Sequence, residues 1–248
     1  MKQILILLMA VFLWSCVDSK TETSSAEAIV DRAIAVAGGH IVDTSTIAFS
    51  FRDKRYKAMR NQGQFKLERT FKDSVTTVRD VLSNEGFKRF LDSKEMIVAD
   101  SMIPRYSASV NSVHYFSVLP YGLNDAAVNL KLLPDTTIDN DVFYSIQVTF
   151  SEEGGGEDFE DVFMYWIDKE TYKVAYLAYS YNEADGQGLR FRKAKNERNI
   201  KGIRFVDYDN YKPKDPRGGL TELPQLFSNN KLELLSNIAL EDIQVSFN

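Results

Sequence analysis

The sequence has one cysteine, Cys16, and two histidines, His40 and His114, in 248 residues. With a single thiol the chain can make no internal disulfide, so a domain exposed to an oxidising compartment must be held together by its core. No H-E-x-x-H, C-x-x-C, G-x-S-x-G elbow or phosphate-binding glycine loop occurs, so the familiar metal, redox, hydrolase and nucleotide signatures are missing. Ser228-x-x-Lys231 has the spacing of a serine–lysine pair but none of its companion motifs. Positive charge is also in short supply: 30 Lys and Arg face 35 Asp and Glu, a formal charge of −5. A nucleic-acid partner, whose phosphates demand a basic face, is therefore not expected. There is no low-complexity tract and no repeat with a period of roughly 20–50 residues. No apolar run comes near the roughly twenty residues that span a bilayer.

What is present begins at the start of the chain. Lys2 precedes an apolar run from Ile4 to Leu13, the pattern of a secretory signal. Leu13-Trp14-Ser15-Cys16 follows and resembles the bacterial lipobox, in which the cysteine sulfur receives diacylglycerol before cleavage. A catalytic thiol would need a base and an electropositive pocket, and nothing next to Cys16 supplies one. The expected organisation is a signal over residues 1–15, a lipidated Cys16 with a polar tether through residue 25, and one domain over 26–248. Acyl chains on Cys16 would hold the protein on a membrane, each buried CH2 contributing about 0.8 kcal/mol. The domain is 26% charged and 44% hydrophobic across the whole chain, ample for a core.

Ile29, Ala33 and Val36 fall at helical spacing, with Ser24 or Ser25 as cap and Gly38-Gly39 as stop, predicting a helix over 26–37. A β meander follows, from "TIAFSFRDKRYKAMR" through "GQFKLERTF" and "SVTTVRDVL" to "FKRFLD", with period 2 dominant. Tyr106, Val110, Val113 and Phe116 then mark a second helix that starts at Pro104 and closes at Pro120 and Gly122. Strands return in "VFYSIQVTF", in a hairpin around Asp168–Thr171, in "LRFRKAK" with "IRFVDYDNYKP", and in a last strand within "LELLSNIALEDIQV". Residues 214–230 read as a loop with a short helix. Roughly ten antiparallel strands and two helices predict a mainly β, α+β fold. Its form would be a large curved antiparallel sheet, a half-barrel, with the N-terminal and mid-chain helices covering its mouth.

The lipobox, tether, N-terminal helix, curling meander, mid-chain helix and "YWIDKETYKV" hairpin together resemble the LolA/LolB-like superfamily of envelope proteins. "VNSVHYFSVLPYGLND", "YWIDKETYKVAYLAYSY" and "GIRFVDYDNYKP" are similar to an uncharacterised lipoprotein family of Gram-negative bacteria near that superfamily. The resemblance implies a half-barrel whose concave apolar side holds acyl chains. It further implies an envelope location, at the outer membrane on its periplasmic or surface face, with a lipid as partner. No ligand residue of those carriers matches a position here by motif.

Candidate ligand-binding residues come from two places. On the second helix and the loop after it, Asn111, His114, Tyr115, Tyr121, Asn124 and Asp125 gather polar groups suited to a head group or a water. In the aromatic hairpin, Tyr165 and Trp166 offer a platform, although strands favour aromatic residues in any case. The six acidic residues between Glu152 and Asp161 read as a solvated loop rather than a calcium site, since their spacing is not that of an EF-hand. Asp207 and Asp209 are expected to pair across strands with Arg190 or Arg192. Three functions follow in order: a non-catalytic carrier of a hydrophobic or amphipathic ligand, a hydrolase centred on His114, and a glycan- or protein-binding module using the aromatic hairpin. No cofactor and no metal is expected.

Overall fold

The computed structural model describes residues 24–154, 159–183, 186–215 and 217–247, so Cys16 and the signal and tether segments before residue 24 lie outside the described residues. Helix α1 (Ala26–Val36) opens on Ser25, whose Oγ accepts from the Ala28 amide at 3.2 Å, and carries Glu27 in its first turn. Both features satisfy or complement the unpaired amides of a helix start. It buries Ile29, Val30 and Ala33 and stops at Gly38, which turns the chain with φ +80° into the short helix α2 (Gly39–Val42).

Six strands then run as a meander: β1 (Ser45–Phe51), β2 (Lys54–Asn61), β3 (Gln64–Asp73), β4 (Thr76–Ser83), β5 (Gly86–Leu91) and β6 (Lys94–Met96). Their two-residue turns require positive φ, which Gln62-Gly63 and Asp92-Ser93 supply. Asn84 staples two of these turns together: its Oδ1 accepts from the Phe65 amide and its Nδ2 donates to the Gly63 carbonyl. After α3 (Ile103–Ser117) come β7 (Val128–Ile138), β8 (Asp141–Phe150), β9 (Val162–Asp168), β10 (Val174–Glu183), β11 (Gly186–Ile200) and β12 (Ile203–Pro213). Helix α4 (Leu223–Ser228), β13 (Leu232–Ile238) and β14 (Glu241–Phe247) complete the chain.

The strands make two antiparallel seven-stranded sheets, ordered β14-β1-β2-β3-β4-β5-β6 and β13-β12-β11-β10-β9-β8-β7. Neither closes on itself, and the whole is the mainly β, open half-barrel that the sequence predicts. The details differ in three places. There are two sheets and fourteen strands where one sheet and about ten strands are expected. "LELLSNIALEDIQV" is two strands, β13 and β14, that belong to different sheets, so β14 ties the end of the chain to β1. Strand β7 is not anticipated at all: Pro134 falls at the break in register between Leu133 and Thr136, and β7 is an edge strand, where a missing amide is tolerated.

The second sheet is covered on both faces. Its inner face packs Phe163, Tyr165, Ile167 and Leu177 against α1 and the loop after α3. Its outer face packs Met164, Trp166, Tyr176 and Phe191 against Leu223 of α4. Burial on both sides makes β9 almost continuously buried, as its unbroken apolar run requires. Helix α3 lies on the inner face of the first sheet, where Val110 packs with Ala58 and Leu67.

Candidate functional site

Between α3 and the inner faces of the two sheets lies an open cavity of about 920 Å³, within the range of roughly 300–1,000 Å³ common for small-molecule sites. Phe51, Phe65 and Leu82 come from the first sheet, Asn111, Tyr115 and Phe116 from α3, and Phe163, Val206 and Tyr208 from the second. The apolar part of the lining comes from both sheets and from Ala108, Val113, Tyr115 and Phe116 of α3, while Ser107, Asn111, Ser112 and Ser117 of the same helix add polar groups. Val110 and His114 face the first sheet, while Tyr115 and Phe116 pack with the second. The helix thus fills one side of the gap and leaves the other open.

Several polar groups at this cavity are specifically held. Tyr115 Oη lies 3.3 Å from Tyr165 Oη, and burial pushes the Tyr115 phenol up to about 12 and the Tyr165 phenol well above its ordinary value. Both are neutral hydroxyls at physiological pH. Arg192 lines the cavity from β11, its Nη2 donating to Tyr179 Oη at 2.8 Å and its guanidinium 4.2 Å from the Phe116 ring centre. Arg190 lies over the Tyr181 ring two positions away on the same strand.

The eight candidate residues fall in different places. Asn111 and Tyr115 line the cavity. Tyr165 stands behind Tyr115 as its hydrogen-bond partner. His114 points the other way, with 0% exposure: its Nε2 lies 3.0 Å from the Glu68 carbonyl and its ring packs edge-on against Phe49 and Tyr56. Burial lowers its pKa to about 3, the Glu68 carbonyl offsetting this only in part. It is therefore a neutral imidazole whose Nε2–H donates to a strand backbone. Tyr121 donates to Asp43, and Asn124 donates to Asp31 of α1. These bonds pin the loop after α3 to the N-terminal helices. Asp125 sits in the same loop, its carboxyl raised by burial and by the nearby Asp43. Trp166 is on the outer face of its sheet, 5.5 Å from Phe191, where its strand position must put it if Tyr165 faces inward.

One charge expectation needs correction. Asp207 and Asp209 do not pair with Arg190 or Arg192. Asp207 takes Arg198 and Asp209 takes Lys195, because in this register Asp209 stands opposite Lys193 and Asp207 opposite Lys195, leaving Arg192 on the cavity face. The acidic loop is solvated as expected at Glu152, Glu153 and Glu160, which are exposed; Glu160 and the half-buried Asp161 also border the cavity, while residues 155–158 lie outside the described residues. Phe116, Arg190 and Arg192 are among the lining residues that sequence reasoning misses. The available signal is the alternation Leu189-Arg190-Phe191-Arg192 in a strand whose apolar side, at Phe191, is buried under α4. That places two cations on the side facing the core. Among the described residues no three His, Cys, Asp or Glu side chains gather as metal ligands, and no helix is long and apolar enough to cross a membrane.

Comparison with known proteins adds the family. Residues 2–241 match a family described as "Family of unknown function (DUF6503)". No curated protein matches the sequence. Among solved structures, a LolA superfamily protein from Nitrosomonas europaea has 12% identity and a TM-score of 0.50, covering 90% of this chain and 91% of that one. A putative outer membrane lipoprotein-sorting protein domain from Vibrio parahaemolyticus has 11% identity and a TM-score of 0.44, covering 90% and 92%. A DUF1329 family protein from Desulfovibrio piger has 11% identity and a TM-score of 0.41, with the same coverage. The chain belongs to the DUF6503 family, and its fold is distantly LolA-like.

Proposed function

We propose that this DUF6503 protein is a cell-envelope lipoprotein that holds a hydrophobic or amphipathic ligand, a lipid or acyl chain, in the cavity between its two sheets. The observation that carries this reading is the cavity itself, about 920 Å³, open and lined chiefly by Phe, Leu, Val and Tyr side chains. An apolar lining left unfilled by the protein's own side chains forfeits burial that an acyl chain would restore. In this reading Cys16 carries the lipid anchor, residues 1–15 are the signal and 16–25 the tether, and the domain beyond them stands at the outer membrane.

The alternatives draw less support. A hydrolase centred on His114 needs an accessible ring nitrogen, but Nε2 is engaged with Glu68 and the residue is fully buried. The aromatic hairpin is divided between two buried faces, Tyr165 inward and Trp166 outward, so it presents no coplanar surface for a glycan.

The test uses the full chain carrying Cys16→Ser, so that no anchor competes, titrated with an uncharged naphthylamine probe that fluoresces in apolar surroundings. Saturable, stoichiometric binding displaced by long-chain lipids is the expected result. A linear, non-saturable signal would overturn the reading.

A further inference from the structure

Arg192 is 8% exposed, yet among the described residues it makes no salt bridge. Of the three other guanidiniums of equal burial, Arg69 is neutralised by Asp80 at 2.7 Å and Arg204 by Glu197 at 2.8 Å, while Arg60 lies over the Tyr121 ring in the field of Asp43. Arg192 has only the Tyr179 hydroxyl on Nη2 and the faces of Phe116 and Tyr179, while its Nε has no hydrogen-bond partner. A desolvated cation without an anion is costly, and a fold keeps one where something else supplies the negative charge.

The register shows that the acids at the cavity lining do not fill this role. Arg192 stands opposite Leu177, which stands opposite Tyr165, whereas Asp161 precedes the first residue of β9, four positions along from Tyr165. That offset is roughly 13 Å along the strand. Arg190, by the same register opposite Tyr179 and Phe163, is the cation nearer the acids.

We infer that the ligand of this cavity is an acidic amphiphile, whose carboxylate or phosphate is received by Arg192 with help from the Tyr179 hydroxyl while its hydrocarbon lies against Phe116, Phe163 and Val206. This rests on the reading of the cavity as a lipid site. The guanidinium fork can meet either anion with two parallel hydrogen bonds, and the apolar wall around it excludes competing water. The Phe116 and Tyr179 rings stacked on the guanidinium hold its plane and keep the charge from collapsing onto the protein.

The experiment is displacement of the uncharged naphthylamine probe from the full Cys16→Ser chain. Competitors are hexadecanoate and hexadecanol, and dipalmitoyl phosphatidic acid and dipalmitoyl glycerol, each pair sharing its hydrocarbon and differing in the acid. At least one acid is expected to compete about tenfold or more better than its neutral partner, the size of one charge-assisted hydrogen bond. Arg192→Gln should abolish that preference, so that acid and neutral partner displace the probe alike, and Arg192→Lys should restore part of it. If hexadecanoate shows the preference, the source is a free fatty acid; if phosphatidic acid shows it, a phospholipid. Equal competition by acid and neutral partner in the unsubstituted chain, with the probe still bound, would overturn the inference and leave the lipid site standing. Absence of probe binding would instead overturn the lipid site. The comparison within the unsubstituted chain holds even if Arg192→Gln fails to fold.

Discussion

His114 shows what a single residue can do for the fold without touching the cavity. Its ring ties α3 to β3 through the Glu68 carbonyl and is packed between Phe49 and Tyr56, so a proton on Nδ1 would place a buried charge where no partner exists. The folded chain holds the imidazole pKa near 3 against an ordinary 6.5, so the unfolded chain binds a proton that the folded chain refuses. Stability is therefore complete above pH 6.5 and falls as pH drops through the window toward 3, by about 1.4 kcal/mol per unit. Urea unfolding at pH 7 and at pH 5 should differ by about 2 kcal/mol from this group alone. His114→Gln, which keeps a donor for Glu68, should flatten that dependence, and identical pH profiles for the two proteins would refute the assignment. A contrasting economy operates at Asp80, fully buried beneath α3, where one carboxylate serves both Arg69 and Arg89.

At the scale of elements, the corner between α1 and α2 is set by Gly38. A Cβ there would stand 2.2 Å from the Gly202 carbonyl oxygen, besides requiring φ +80°, and the Arg204 amide donates to the neighbouring Ala37 carbonyl. Gly38→Ala should cost about 2–3 kcal/mol or more, since strain and clash add. Gly63→Ala, with φ +82° and open space around it, should cost only about 1 kcal/mol. Denaturant midpoints for the two variants check this, and equal losses would remove the close approach as the cause. This corner is also what the sequence shows most plainly, because a serine cap, an i, i+4 apolar face and a glycine stop are local signals. The Asp168–Thr171 hairpin is legible for the same reason: Asp168 caps the Thr171 amide and hydroxyl. Strand β7 and the division of "LELLSNIALEDIQV" are not legible, since one hides behind a proline and the other depends on which sheet each half joins. The facing of Arg190 and Arg192 is lost for a related reason. The alternation Leu189-Arg190-Phe191-Arg192 puts both arginines on one side, but only the packing of α4 over Phe191 makes that side the inner one, and the apparent acidic partners lie on the opposite face.

At the scale of the molecule, the cavity exists because one helix lies where two sheets face each other. Ala108, a small residue on the cavity side of α3, is the place to fill it. Ala108→Trp should weaken binding of the uncharged probe about tenfold or more while changing stability by less than about 1 kcal/mol, because the ring enters open space rather than a packed core. Fluorescence titration and urea unfolding on the same preparation separate the two effects, and unchanged probe affinity would place the ligand elsewhere. The cavity itself could not be read from the sequence, because it depends on how two sheets diverge. The pairing of β14 with β1 sets the order of events when the protein is made. Ile47 lies opposite Val245, so the first sheet gains its last neighbour only when nearly the whole chain is available. Such non-local pairing must pay for loop closure before any contact rewards it, which slows folding. A chain cut short of β14 should therefore leave β1 as an unpaired sheet edge, open to pairing with another chain.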